Sequence, residues 1–128
     1  MEQSAILGLR TVVYEVGNLE EAIAWYTQAF GIEPNFKESY YVGFNIRGFE
    51  LGLMPAENTG EPKAKNVLAY WGVEDVETEY ARLLGLGAKE NAPIIDVGGG
   101  IRLGSVIDPF GNALGIIYNP IFTLEQTA

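Results

Sequence analysis

The chain contains no cysteine and no histidine among its 128 residues. Without cysteine there is neither a disulfide framework nor a thiol nucleophile. Without histidine the chain lacks the commonest metal ligand and the commonest general base. These two absences remove thiol-dependent and histidine-dependent catalysis from the functions to be considered.

Basic residues are also scarce, since 8 lysines and arginines stand against 17 acidic residues and give a net charge of -9. Such a surface repels the phosphates of nucleic acids and anionic membranes. There is no apolar run of about 18 residues and no basic region ahead of an apolar segment, so the sequence predicts neither a membrane span nor a signal peptide. We therefore expect a cytoplasmic protein that binds neither nucleic acid nor membrane.

The overall amino-acid composition is that of a folded domain, with 48% hydrophobic and 20% charged residues. A chain of this length can bury one core but is short for two. We therefore expect a single domain over residues 1–128.

The hydrophobic pattern occurs twice along the chain. Asn18 precedes a helical stripe that includes Ala22, Tyr26 and Phe30, and Gly31 stops it. Asp75 precedes a second helical segment that extends to about Leu86. Strands are predicted around these helices at Ile6–Val16, Glu33–Glu38, Tyr40–Ile46, Phe49–Met54, Asn66–Val73, Ile94–Asp96, Ile101–Ile107 and Ala113–Asn119. Each half therefore has the order βαβββ, and a shift of 57 positions places Asn18 on Asp75.

Two segments carry a family resemblance: VxNLEEAIAWYxxAFGIEP near the start and VIDPFGNALGIIYNP near the end. They resemble the signature segments of the vicinal oxygen chelate superfamily, which includes glyoxalases, bleomycin resistance proteins and dioxygenases. The resemblance implies an α+β fold whose two βαβββ modules form a curved mixed sheet, with helices on the convex face and a ligand cup on the concave face. Module 1 would cover about 5–55, the linker 56–65 and module 2 about 66–120.

Strand alternation predicts which residues face this cup. Apolar residues are assigned to the helix side, namely Phe49, Leu51, Leu53, Ile101, Leu103, Ile107, Leu114, Ile116 and Tyr118, together with Trp25 and Trp71. Their neighbours are assigned to the cup, namely Glu50, Gly52, Met54, Arg102, Gly104, Val106, Ala113, Gly115 and Ile117. Asn45, Gly43 and Tyr41 join them by pairing in the Arg47-Gly48 hairpin, and the resemblance adds Thr11, Val13, Leu68, Tyr70 and Gly72. Five glycines on one face, Gly43, Gly52, Gly72, Gly104 and Gly115, indicate a hollow for a ligand or a surface for a second protomer.

The resemblance also implies four metal-ligand positions, which fall on Thr11, Glu50 (or Gly52), Leu68 and Gly115. Glu50 alone offers a good donor, because leucine and glycine have none. We therefore expect no metal and no other cofactor. Glu50 and Arg102 are predicted to meet across the cup, either as an ion pair or as ligand contacts.

Three functions follow from these residues. The preferred one is a metal-free binding protein that holds a small aromatic or cationic ligand through Thr11, Tyr41, Asn45, Glu50, Leu68, Tyr70, Arg102 and Gly115. The alternative is a lyase, isomerase or dioxygenase-like enzyme with Glu50 as general base and Arg102 steadying an oxyanion. The third is a module whose cup is a dimer interface. A homodimer is expected in any case, and Asp108 to Asn112 are expected to form the turn that sets the register of the last strand.

Overall fold

The computed structural model describes residues 4–5, 7–57, 63 and 66–124. The chain divides into two compact units, Met1–Gly60 and Glu61–Ala128. Neither helix of the described part, 12 and 10 residues long, has the length and apolarity to cross a membrane.

Unit 1 has one helix against a four-stranded mixed sheet. Its elements are β1 Thr11–Val16, α1 Leu19–Phe30, β2 Phe36–Lys37, β3 Val42–Ile46 and β4 Phe49–Pro55. The sheet order is β1-β4-β3-β2, in which β1 runs parallel to β4 and the other pairs are antiparallel.

Helix α1 begins and ends at the predicted caps. The Asn18 Oδ1 accepts a hydrogen bond from the Glu21 N–H at 3.0 Å, and Gly31 ends the helix in the left-handed conformation with φ 67°. Ala22, Trp25, Tyr26 and Ala29 are buried on the side that packs against β4. Trp25 is therefore a core residue, as predicted.

The β3–β4 hairpin closes through Arg47 and Gly48, whose φ angles are 52° and 95°. Two consecutive residues with positive φ form the mirror-image turn that matches the twist of paired strands. The turn fixes the register so that Asn45 lies opposite Glu50 and Gly43 lies opposite Gly52.

Unit 2 repeats the order of unit 1. Its elements are β5 Tyr70–Gly72, α2 Val76–Gly85, β6 Lys89–Gly98, β7 Ile101–Ile107 and β8 Ala113–Tyr118. The sheet order is β5-β8-β7-β6, with β5 parallel to β8. The predicted α+β class with two βαβββ modules is confirmed.

Several strand bounds differ from the prediction. The first strand begins at Thr11 rather than Ile6, a residue that lies outside the described part, and β5 covers only three residues. Strand β6 extends over Lys89–Gly98 rather than Ile94–Asp96, because it follows β7 through three register shifts. Each shift breaks the alternation of side chains, so the sequence pattern of this strand is irregular.

Candidate functional site

The open face of the unit 1 sheet, which is the face turned away from α1, carries a hydrogen-bonded cluster of three side chains. The Glu50 Oε1 accepts hydrogen bonds from the Thr11 hydroxyl at 2.6 Å and from the Tyr41 hydroxyl at 2.8 Å. Thr11 and Glu50 are register partners on parallel strands, so the ladder itself brings them together. The structure thus confirms that Thr11, Tyr41 and Glu50 share a face.

Two glycines let this cluster lie flat on the sheet. Gly43 and Gly52 are opposite each other on β3 and β4. A Cβ at Gly52 would collide with the ring and hydroxyl of Tyr41, and one at Gly43 would lie 2.9 Å from the Glu50 Oε2. The missing side chains therefore make room for the tyrosine ring and the carboxylate.

Burial, the hydrogen bond to Glu50 and the charge of Glu50 raise the pKa of Tyr41 above its ordinary value, and its hydrogen bond with Thr11 opposes this. The phenol therefore remains protonated at neutral pH and donates to the carboxylate. Glu50 is half-buried and accepts two hydrogen bonds, which holds one oxygen in a fixed direction.

Phe36 adds an aromatic side chain that the sequence interpretation missed. It pairs with Gly43, so its side chain lies on the open face, and its ring centroid is 6.3 Å from that of Tyr41. Phe36 is 44% exposed. Strand β2 has only two residues, too few to show an alternation in the sequence that could have assigned its face.

Asn45 shares this face by register, but its side chain serves the hairpin turn. The Asn45 Oδ1 accepts a hydrogen bond from the Gly48 N–H at 2.7 Å. A predicted ligand-binding residue is therefore engaged in local structure.

In unit 2, Tyr70 and Gly115 lie on the face turned away from α2. They are register partners, and a Cβ at Gly115 would lie 2.7 Å from the Tyr70 ring and 2.7 Å from the Ala69 carbonyl oxygen. Tyr70 is 42% exposed, whereas Leu68 is half-buried and precedes the strand. Tyr70 and Gly115 therefore share a face, as predicted.

The prediction of which β7 residues face the cup was wrong. Arg102 pairs with Tyr118, Gly104 with Ile116 and Val106 with Leu114, and these β8 residues lie on the helix side. Arg102 accordingly donates hydrogen bonds to Glu77 of α2 within its own unit, and the Glu50 carboxylate accepts its hydrogen bonds from Thr11 and Tyr41.

The physical reason for the error is one large side chain of α2, the Tyr80 ring, which needs space on the helix side of β7. Gly104 leaves room for the Tyr80 ring, since a Cβ there would be 3.2 Å from it. Arg102 lies near the end of the strand, where its charge reaches the exposed Glu77. Ile101, Leu103 and Ile107 are therefore on the opposite face, half-buried.

The turn Asp108 to Asn112 closes the β7–β8 hairpin, with Ile107 opposite Ala113. Asp108 is buried, and its Oδ1 accepts hydrogen bonds from the Phe110 and Asn112 N–H groups at 2.9 and 2.8 Å. The Asn112 Oδ1 accepts from the Lys63 Nζ at 2.8 Å. Lys63 belongs to the predicted linker, where nothing in the sequence marks it as a partner of this turn.

The metal positions implied by the resemblance do not form a donor set. Thr11 and Glu50 are hydrogen-bonded to each other, and Leu68 has no donor atom. At Gly115 the neighbouring Tyr70 ring occupies the space that a ligating side chain would need. The described residues contain no group of three acidic side chains with the spacing of a cation site. A divalent cation needs several nitrogen or oxygen ligands, so these residues do not fit one.

The chain is similar in structure to several solved proteins. A glyoxalase-related enzyme from Fulvimarina pelagi has a TM-score of 0.75 at 22% identity, and the match covers 94% of each chain. The fosfomycin resistance protein FosX from Listeria monocytogenes, solved with Mn(II) and sulfate, has a TM-score of 0.74 at 19% identity over 91% of this chain and 93% of that one. TioX from Micromonospora has a TM-score of 0.68 at 16% identity over 87% and 98%. At these identities the likeness shows the fold alone.

No curated protein sequence matches the chain significantly. The sequence profile of the Glyoxalase/Bleomycin resistance protein/Dioxygenase superfamily matches residues 8–116, which include the whole first signature segment and most of the second. The chain therefore belongs to the Glyoxalase/Bleomycin resistance protein/Dioxygenase superfamily.

Proposed function

We propose that this protein binds a small aromatic or cationic molecule without a metal ion, on the open face of the unit 1 sheet. The observation that carries the proposal is the half-buried Glu50 carboxylate, which Thr11 and Tyr41 fix in place. Phe36 and Tyr41 place two aromatic rings beside this anion. Rings next to a carboxylate suit a planar molecule with a positive charge.

Two further observations support this choice. The net charge of -9 attracts cations from a distance. Among the structures with this fold are proteins named for resistance to fosfomycin and bleomycin, which are small molecules. The metal-free part of the proposal rests on the poor donor set at Thr11, Leu68 and Gly115.

Calorimetric titration with matched aromatic ligands tests the proposal. Glu50→Gln keeps the shape of the side chain and removes its charge. It should weaken a cationic aromatic ligand by about 1 to 3 kcal/mol, the range for a charged hydrogen bond, while a neutral analogue is little affected. Glu33→Gln is the control, because it makes the same change of charge at an exposed loop position of unit 1.

Two outcomes would contradict the proposal. If Glu50→Gln and Glu33→Gln weaken the cation equally, the effect is long-range charge and not a contact. If elemental analysis finds one zinc, nickel or iron per purified chain, the metal-free part is wrong.

A general-base role for Glu50 is the second candidate, favoured because Oε2 has no hydrogen-bond partner among the described residues. A bound ligand with an acidic C–H would then exchange hydrogen for deuterium in heavy water, and Glu50→Gln would abolish the exchange. Binding without exchange would leave the binding function alone.

A further inference from the structure

The two oxygens of the Glu50 carboxylate have different surroundings. Oε1 accepts both hydrogen bonds of the cluster, from Thr11 and Tyr41. Oε2 accepts none from the residues that the structure describes. In that part of the chain no buried polar side-chain atom lacks a partner, so Oε2 is in contact with solvent.

The backbone beside Oε2 is kept free of a side chain by Gly43. Its φ lies outside the positive range, so the backbone conformation does not require glycine there. Glycine inside a strand is unfavourable and usually marks a close approach by another group. At Gly43 that group is the carboxylate, because an added Cβ would lie 2.9 Å from Oε2 and 3.6 Å from the Tyr41 ring.

We infer that Gly43 is a positioning residue that keeps the Glu50 Oε2 directed toward solvent, where it accepts a hydrogen bond from an N–H group of an organic cation. An ammonium, amidinium or guanidinium group has such donors, whereas a quaternary ammonium group has none. The ligand class is therefore a protonated amine or amidine on an apolar ring, with the ring against Phe36 and Tyr41. This inference rests on the proposed function and narrows it to one chemistry.

Four probes of similar size distinguish the sources of affinity: benzamidinium, benzyltrimethylammonium, benzyl alcohol and benzoate. The wild-type protein should bind benzamidinium about tenfold more tightly than benzyltrimethylammonium, the expected effect of one charge-assisted hydrogen bond. Benzyl alcohol should bind more weakly than either cation, and benzoate most weakly.

Gly43→Ala should reduce the ratio of the affinities for benzamidinium and benzyltrimethylammonium toward one, because the added methyl group displaces Oε2. A change in fold stability alone would not alter a ratio between two ligands of equal charge. Gly72→Ala is the matched control, since Gly72 is also a strand glycine without positive φ and has no atom within 4 Å of an added Cβ. If Gly43→Ala proves too unstable to measure, Glu50→Gln should still bring the ratio of the affinities for the two cations close to one.

The outcomes separate the two proposals. Equal affinity of the wild-type protein for both cations, or an unchanged ratio in Gly43→Ala, would overturn the inference and leave small-molecule binding intact. Binding of none of the four probes would contradict both.

Discussion

The side chain of Tyr80 lies where α2 meets β6 and β7. Its hydroxyl is within donating distance of the Ala92 carbonyl oxygen at 3.0 Å and the Ser105 carbonyl oxygen at 3.1 Å. Its ring occupies the space above Gly104. This one buried residue explains why Gly104 faces the helix, which by alternation also places Arg102 and Val106 on the helix side and Leu103 on the opposite face.

Alkaline pH should destabilise the protein through Tyr80. Burial, and to a smaller extent the charge of Glu90, raise the pKa of Tyr80 above the ordinary value of 10.0. A raised pKa means that the folded state favours the neutral phenol, so its contribution is complete below pH 10 and is lost as pH rises through the folded pKa. Urea unfolding at pH 8 and at successive pH values above 10 should show a falling free energy of unfolding.

The variant Tyr80→Phe isolates this effect, because phenylalanine does not titrate. It should be less stable than the wild type at pH 8, by about 1 kcal/mol for the lost hydrogen bond of the buried hydroxyl. The difference from the wild type should then shrink above pH 10. A constant difference across the whole range would show that Tyr80 does not titrate with unfolding.

Arg102 should have no part in ligand binding. It lies on the helix side of β7, where its pKa is raised first by the hydrogen bond to Glu77 and then by the charge of Glu77. Arg102→Met should leave the affinity for every probe unchanged and lower the melting temperature only slightly, because the ion pair is exposed to solvent. A selective loss of benzoate binding in this variant would restore Arg102 to the site.

How far single residues could be assigned from sequence depends on how local their constraints are. Glu50 and Tyr41 were assigned to the correct face because a two-residue turn fixes the register of their hairpin. The alternation of side chains along each strand then gives the face of both residues. Arg102 was misplaced because its face depends on a ring from another element. Phe36 and Lys63 were missed because neither belongs to a pattern that extends over more than two residues.

At the level of elements, the helices were predicted more accurately than the strands. The bounds of α1 follow from Asn18 and Gly31, which hydrogen-bond to the backbone of the helix itself and need no neighbouring strand. Strands depend on a neighbour, and β6 continues for ten residues because β7 lies beside it and bulges absorb the mismatch.

Removing the α1 cap should destabilise the protein by an amount typical of a single cap. Asn18→Ala deletes the acceptor of the Glu21 N–H and should lower the free energy of unfolding by about 1 kcal/mol. Asn18→Ser retains an acceptor and should lose much less. Urea unfolding of the two variants checks this, and equal losses would mean that the hydrogen bond contributes little.

At the level of the whole molecule, a homodimer remains our prediction. Among the residues that the structure describes, seven large hydrophobic side chains are each at least 62% exposed, namely Leu7, Leu9, Tyr40, Val67, Ile121, Phe122 and Leu124. Apolar surface of this kind favours association with a second chain. Sedimentation velocity at micromolar concentration should give twice the 14.0 kDa chain mass, and a species of 14.0 kDa would count against the dimer.

The duplicated pattern was the feature of the sequence that most reliably indicated the fold. It has a direct counterpart in the two sheets, where Gly52 of β4 and Gly115 of β8 hold equivalent places. Each glycine has one partner on the parallel strand and one on the antiparallel strand, which are Val13 and Gly43 in unit 1 and Tyr70 and Ser105 in unit 2.

The tyrosine rings that cover these two glycines come from positions that do not correspond. Tyr41 lies two residues before Gly43, and the equivalent residue of unit 2 is Leu103. Tyr70 is equivalent to Val13 of unit 1. Each unit therefore fills the same bare place on its sheet from a different neighbour, unit 1 from the antiparallel side with Tyr41 and unit 2 from the parallel side with Tyr70.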